Sequence, residues 1–195
     1  MKIPESSFEP VSPELIETIR LWRNKPRIRE RMIDDIVIDE EQQKNWFASL
    51  AKNMDKEYLV FVQDRRPIGM LYFSNIQEKS CYWGGYIGED AVWPGSGVIL
   101  EYAALEYAFN ILNRDILMAE VFEDNIGPQK IHEFFGFEII ESGKDIKIKS
   151  DTEKRLNLFS YKSSDWYKNK KNIIEKMPKQ LKLAIDFINF KKVLK

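Results

Sequence analysis

A chain of 195 residues, 44% hydrophobic and 31% charged, is long enough to bury one core without staples and too apolar to remain disordered. One cysteine, Cys81, and one histidine, His132, exclude an internal disulfide and remove the usual zinc-site arrangements, so no metal is expected. The net charge of −1 hides an asymmetry: residues 162–195 hold ten lysines and three acids, a net +7, while residues 1–161 hold 20 Lys and Arg with 28 Asp and Glu, a net −8; so acidic a body argues against nucleic acid as the main ligand, because phosphate binding needs a cationic face.

The first ten residues carry neither a basic leader nor an apolar h-region, and no apolar run reaches the roughly 20 residues of a membrane span, so a cytoplasmic location is expected. Ser12-Pro13-Glu14 reads as a helix cap, a proline at the first position and an acid in the first turn. Leu15, Ile19 and Trp22 follow at helical spacing to about Asn24, and Pro26 stops the helix. Residues 27–38 read as irregular. Asp39 then caps a second helix, with Glu40 and Glu41 at its positive end and Trp46, Phe47 and Leu50 as its buried stripe. Residues 58–62 and 68–73 are β-rich runs joined by Asp64-Arg65-Arg66-Pro67, which predicts a hairpin. Residues 80–87 form a further strand, in which Gly84-Gly85 marks a bulge or a close backbone approach.

Beyond Pro94-Gly95-Ser96-Gly97, Val98, Leu105 and Phe109 carry a helix ending near Asn113. A strand over 116–122, a short helix over 125–135 and strands over 137–142 and 155–161 complete the body. From Asp165, Trp166, Ile173, Ile174, Leu181, Ile185, Ile188 and Phe190 suggest two amphipathic helices divided by Pro178. They read as a packing or homodimer-contact appendage, with a basic membrane-surface helix as the alternative. The predicted division is a domain over residues 1–162 and a C-terminal helical extension over 163–195.

Val92-Trp93-Pro94-Gly95-Ser96-Gly97 joins a strand to a helix, so its backbone amides and the helix N-terminus can converge on an anion; a ligand-free tight turn would use the same residues. In context the segment resembles the GNAT acetyltransferase superfamily, in which an Arg/Gln-x-x-Gly-x-Gly/Ala loop holds the coenzyme A pyrophosphate. Gly95 and Gly97 match its glycines, whereas Val92 stands where Arg or Gln is usual. Asn125, Pro128, His132 and Gly136-Phe137 match the second half of the superfamily pattern in the right order. The resemblance implies an α/β (α+β) GNAT fold, a mixed, largely antiparallel twisted sheet flanked by helices. It also implies acetyl-coenzyme A as co-substrate, contacted by Ile87, Gly88, Val92, Gly95, Ser96, Gly97, Val98, Asn125 and His132. His132 takes the slot where many members carry a tyrosine that protonates the departing thiolate. An imidazole can do the same near neutral pH, and a histidine merely packed on the helix is the alternative.

A finer resemblance rests on Trp22-Arg23-Asn24-Lys25-Pro26, Met32, Ile38-Asp39-Glu40-Glu41, Tyr82-Trp83-Gly84-Gly85-Tyr86-Ile87-Gly88, Leu100-Glu101-Tyr102-Ala103 and Glu106-Tyr107-Ala108-Phe109. Over roughly residues 15–140 these resemble the nucleotide-amino-sugar N-acetyltransferases of flagellin pseudaminic acid synthesis. That family acetylates the 4-amino group of UDP-4-amino-4,6-dideoxy-N-acetyl-β-L-altrosamine. It implies a nucleotide-sugar pocket at Arg23, Met32, Ile33, Gln43, Trp83 and Tyr86, and Glu120 as the base. Gln43 departs from the histidine often found there, which puts the substrate's identity in question more than the reaction. Glu120 as a solvent-facing strand acid and Arg23 in a structural ion pair are the plainer alternatives. Two competing functions remain open, a ribosomal-protein-type protein N-terminal acetyltransferase and a coenzyme sensor without turnover. Cys81 reads as a core residue.

Overall fold

The computed structural model describes residues 2–191. Strand β1 (Ser6–Pro10) leads through a 3-10 turn, Pro13–Leu15, into α1 (Ile16–Asn24), α2 (Pro26–Arg29) and α3 (Glu40–Leu50). Strands β2 (Lys56–Gln63), β3 (Arg66–Ser74) and β4 (Ser80–Ile87) precede α4 (Ser96–Glu106), which continues as a π-helical turn over Tyr107–Ile111. Then follow β5 (Ile116–Phe122), α5 (Ile126–Phe135), β6 (Glu138–Lys147), β7 (Glu153–Lys162), α6 (Ser163–Lys176), α7 (Lys179–Ile185) and β8 (Ile188–Phe190). The strands form one sheet in the order β6-β7-β5-β4-β3-β2-β1-β8. Pairing is antiparallel except at β4–β5 and β1–β8, so the mixed, largely antiparallel sheet expected from the sequence is present.

Local chemistry accounts for several boundaries. Asp39 accepts the Gln42 amide at 2.8 Å while the Gln42 side chain accepts the Asp39 amide at 3.0 Å, a reciprocal cap that starts α3. Asp64 and Arg65 adopt φ of 47° and 67°, the paired left-handed conformation of a two-residue hairpin turn. Arg66 and Pro67, predicted as part of that turn, therefore belong to β3. Gly136, with φ of 92°, ends α5, and the Phe137 amide reaches back to the His132 carbonyl at 3.0 Å. This explains the Gly-Phe pair structurally, since only glycine takes that conformation without strain.

Other expectations are corrected. Pro26 stops α1 but also opens α2, where its missing amide is harmless, so the irregular stretch begins later than predicted. Trp46, Phe47 and Leu50 are only half-buried, and the buried residue of α3 is Gln43. Ile188 and Phe190 form β8, not helix: they pair in parallel with Ser6 and Phe8, satisfying the backbone edge of β1, a strand the sequence did not reveal.

The sheet is covered on both faces. Leu59, Phe61 and Leu71 pack into the main core with α4 residues Ile99, Ala103 and Leu105, while Val60, Val62 and Met70 pack against Ile19, Trp22 and Ile28. Double-sided burial is why β2 reads as a continuous apolar run. Trp166, Ile173, Ala184 and Ile185 enter the same main core, so the apolar face of α6 and α7 lies on the body rather than on a membrane surface. Among the described residues no helix is long and apolar enough to cross a membrane.

One irregularity positions the site. β4 pairs with β5 only over residues 80–83 and 116–119. Beyond that, residues 84–87 remain paired with β3 and residues 120–122 with β7, so the sheet opens as a wedge between β4 and β5.

Candidate active site

A cavity of about 860 Å³ opens at this wedge, bounded by α1, α3, the segment after α2 and strands β2 to β5. Arg23, Met32, Ile33, Gln43, Trp83 and Tyr86, the residues assigned to an acceptor from the sequence, all line it, and Glu120 joins them from β5. The sequence reading missed Trp46, Tyr58 and Tyr72, which complete an aromatic wall. The Tyr58 and Tyr72 rings stack at 5.7 Å, and Trp46 meets Tyr58 edge-on at 5.2 Å. The signal for the two tyrosines exists only in the strand register, which places Tyr58 opposite Tyr72, and Trp46 reaches them from α3.

Arg23 is the most unbalanced group in the cavity. One guanidinium nitrogen, Nη2, donates to the backbone carbonyl of Asp34, while Nη1 is buried without a partner. Burial lowers its pKa, and the nearby tyrosines Tyr72 and Tyr86 and the carboxylates of Asp34 and Asp35 only oppose that shift. A buried, unsatisfied charged donor is costly, so the position calls for an anionic or strongly accepting ligand. Gln43 is otherwise occupied: its side-chain nitrogen donates to the Ile16 carbonyl at 3.1 Å, tying α3 to α1. Glu120 keeps solvent contact, yet the cavity walls strip part of its hydration and raise its pKa above the ordinary value, with Lys144 opposing the shift. The Tyr72 hydroxyl is pushed up to about 12, mainly by burial and then by Tyr58. The charged groups of the wall are Arg23, Arg31, Lys56 and Lys149 against Asp34 and Glu120.

The residues assigned to the co-substrate lie outside that cavity, at the end of β4, in the loop and first turn of α4, and, for Asn125 and His132, on α5. Gly95 is the N-cap of α4 and supplies no side-chain cap, and among the described residues the Gly97 and Val98 amides have no acceptor. Two free amides at the positive end of a helix, beside an open wedge, fit the diphosphate of acetyl-coenzyme A. Trp93 lays its indole against Gly95, where any Cβ would collide with it, so glycine is required there for packing. The Ser96 hydroxyl turns inward to Gln63 Oε1 at 2.8 Å and its amide donates to the Trp93 carbonyl at 2.9 Å, so neither is free for a ligand. Val92 and Val98 pack against the core. Gly88 has both backbone groups engaged, its amide on Ile68 and its carbonyl on Lys25 and Arg27, and the Ile87 carbonyl accepts from Arg27 at 2.9 Å. Asn125 holds the N-cap position of α5 but its side chain makes no cap bond.

His132 is buried rather than open to the acceptor cavity. Its Nδ1 lies 2.7 Å from Glu101 Oε1, and its ring stacks on Phe137 at 4.7 Å and meets Phe159 and the cavity-lining Trp83 edge-on. Cys81 is buried in the core, its thiol pushed up to about 12 by desolvation, which removes it as a nucleophile.

A family model described as an acetyltransferase (GNAT) domain matches residues 7–138. The acetyltransferase PseH of Campylobacter jejuni subsp. jejuni serotype O:2 is 34% identical over 139 residues, spanning 71% of this chain and 87% of PseH. The crystal structure of Campylobacter jejuni N-acetyltransferase PseH superposes with a TM-score of 0.62 at 25% identity, over 83% of this chain and 99% of that one. Its complex with acetyl coenzyme A gives the same score and identity over 80% and 98%. Spermidine N-acetyltransferase from Vibrio cholerae shares the fold at 14% identity, with a TM-score of 0.76 over 84% of this chain and 98% of its own. The chain therefore belongs to the GNAT acetyltransferase family and is an acetyl-coenzyme A-dependent N-acetyltransferase.

Proposed function

We propose that this enzyme acetylates the primary amine of a nucleotide-linked amino sugar resembling UDP-4-amino-4,6-dideoxy-N-acetyl-β-L-altrosamine, the acceptor of pseudaminic acid synthesis. The observation that carries this reading is the unpartnered, buried Nη1 of Arg23, in a cavity where Arg31 and Lys149 are engaged by Asp124 and Asp34 while Arg23 and Lys56 have no acid partner among the described residues. A diphosphate satisfies that balance, and flat aromatic walls of Tyr58, Tyr72 and Trp83 suit a nucleoside base or a sugar face. A basic peptide, the acceptor of the protein N-terminal acetyltransferase reading, would add cations to cations. The similarity to PseH over most of both chains supports the same choice.

Transfer is direct, within one ternary complex. Glu120 takes the proton from the sugar ammonium so that its nitrogen can attack the thioester carbonyl, and its raised pKa makes it the stronger base. A backbone amide in the open stretch of β4 near Tyr86 and Ile87 hydrogen-bonds the carbonyl oxygen as charge gathers there. His132 gives a proton to the departing sulfur. No residue is acetylated on the way. Free-thiol release from acetyl-coenzyme A should be followed with UDP- and TDP-linked amino sugars beside basic peptides and polyamines. Release with UDP-amino sugars alone is expected, and release confined to peptides or polyamines overturns the acceptor class.

A further inference from the structure

We infer that Glu101 is a positioning residue for His132, fixing its tautomer and orientation so that Nε2 is the nitrogen facing the reacting sulfur. The inference rests on the proposed role of His132 as the acid of acetyl transfer.

Both side chains are almost wholly buried, at 3% exposure each, and 2.7 Å separates His132 Nδ1 from Glu101 Oε1. Glu101 sits on α4, the helix whose first turn carries the free amides, and His132 on α5, so the contact joins the two helices of the co-substrate site. The groups packed on the imidazole from other elements are Trp83 of β4, Phe137, Phe159 of β7 and Glu101. Glu101 alone among them carries a titratable proton at working pH.

That surrounding decides the chemistry. A carboxylate accepts and cannot donate, so an ionised Glu101 requires a hydrogen on Nδ1. The second ring nitrogen, Nε2, has no hydrogen-bond partner among the described residues. A free neutral imidazole carries its hydrogen on either nitrogen, and a fixed partner at one nitrogen selects the tautomer. Burial raises the Glu101 pKa above the ordinary carboxylate value with the imidazole opposing the shift, so the pair holds a proton between Oε1 and Nδ1 and buries no isolated charge.

The cycle balances. Imidazolium beside carboxylate releases the Nε2 proton to the thiolate sulfur, giving a thiol and a neutral imidazole that retains Nδ1–H on Glu101. A proton from solvent, ultimately the one removed from the acceptor ammonium, restores the imidazolium. Replacing the carboxylate by an amide leaves the ring in place but lets the side chain either accept from Nδ1–H or donate to a bare Nδ1, so the tautomer is no longer dictated.

His132 is the only histidine in the chain, so imidazole nitrogen signals in a long-range proton–nitrogen NMR experiment are unambiguous without assignment. In the intact enzyme with the imidazole neutral, hydrogen should sit on Nδ1; in Glu101→Gln it should move wholly or partly to Nε2. In the same variant kcat should fall about 10- to 100-fold with acetyl-coenzyme A affinity retained. A Nε2–H tautomer in the intact enzyme, or a tautomer unchanged in Glu101→Gln, overturns the inference. His132→Ala separates the two claims. Unchanged turnover there removes the acid role itself, while lowered turnover with an unchanged Glu101→Gln tautomer removes only the positioning role. Equal losses of melting temperature and activity, with the tautomer intact, would mark the pair as structural and overturn it as well.

Discussion

Gly84 on β4 lies directly opposite Tyr72 on β3, and a Cβ built on it would come within 2.5 Å of the Tyr72 hydroxyl. The ring is held between this glycine, the stacked Tyr58 and the Met32 sulfur, 3.9 Å from its hydroxyl. The paired glycines of β4 thus mark a close approach and not a bulge, since the β3–β4 register is unbroken. Gly84→Val should force the ring into the cavity, raising the acceptor KM about tenfold with little change in the calorimetric Kd for acetyl-coenzyme A. Equal weakening of both ligands would show that the whole wedge had shifted.

Arg23 offers a sharper test of an anionic acceptor. A charge-assisted hydrogen bond contributes about 1.5–3 kcal/mol, so Arg23→Met should raise the acceptor KM about 10- to 100-fold. Because the substitution also removes a buried donor that lacks a partner, the free protein should melt no lower than the parent. A drop in melting temperature with KM unchanged would return Arg23 to a structural role through its bond to the Asp34 carbonyl.

Glu120 ties activity to pH. Burial raises its pKa, and the base must be ionised, so the acid limb of kcat/KM should lie above the ordinary carboxylate range and activity should be lost as pH falls through it. Glu120→Gln should lower kcat about 10²-fold and abolish that limb. The stability sign is opposite: a folded-state pKa raised above the unfolded one favours the neutral form, a contribution present below the unfolded value and lost as pH rises through the folded one. Thermal melts at pH 8 should therefore show Glu120→Gln at or slightly above the parent.

The proposed division at residue 162 has a measurable meaning. Trp166 is fully buried, and its indole donates to Glu106 at 2.7 Å, beside a Lys170–Glu106 ion pair at 2.9 Å. Removing a buried tryptophan side chain costs about 3–5 kcal/mol. Trp166→Ala should lower the melting temperature by about 6–20 °C, and deletion of residues 163–195 should leave an insoluble or unfolded product. A truncated body that folds and turns over would establish residues 1–162 as autonomous.

Much of the site was legible because short-range chemistry writes itself into short motifs. The glycines before α4, the Asp39 cap and the Gly136 helix stop each depend on a few adjacent residues and on backbone conformations that few side chains permit. Glu120 and the six acceptor residues were reached through resemblance to a family, and the fold does collect them around one cavity. Hidden from that reading were β1 and β8, strands of only five and three residues at one end of the sheet whose pairing partners are distant in the chain. A segment that short carries too little periodicity to declare itself.

The sequence by itself determined the sheet-forming runs, the helix caps, the lone histidine and the loop that leaves two amides free. Tertiary structure alone decided what those parts face. A two-residue turn with Gln63 opposite Arg66 would, by simple continuation, set Tyr58 opposite Leu71; the bulge between Phe61 and Val62 shifts the register by one and sets Tyr58 opposite Tyr72 instead. Because strand side chains alternate faces, that single slip moves the aromatic wall onto the cavity. The Glu101–His132 contact likewise spans two helices, and the choice between a packed histidine and a proton donor depends on a carboxylate that only the packing of α4 on α5 brings within 2.7 Å.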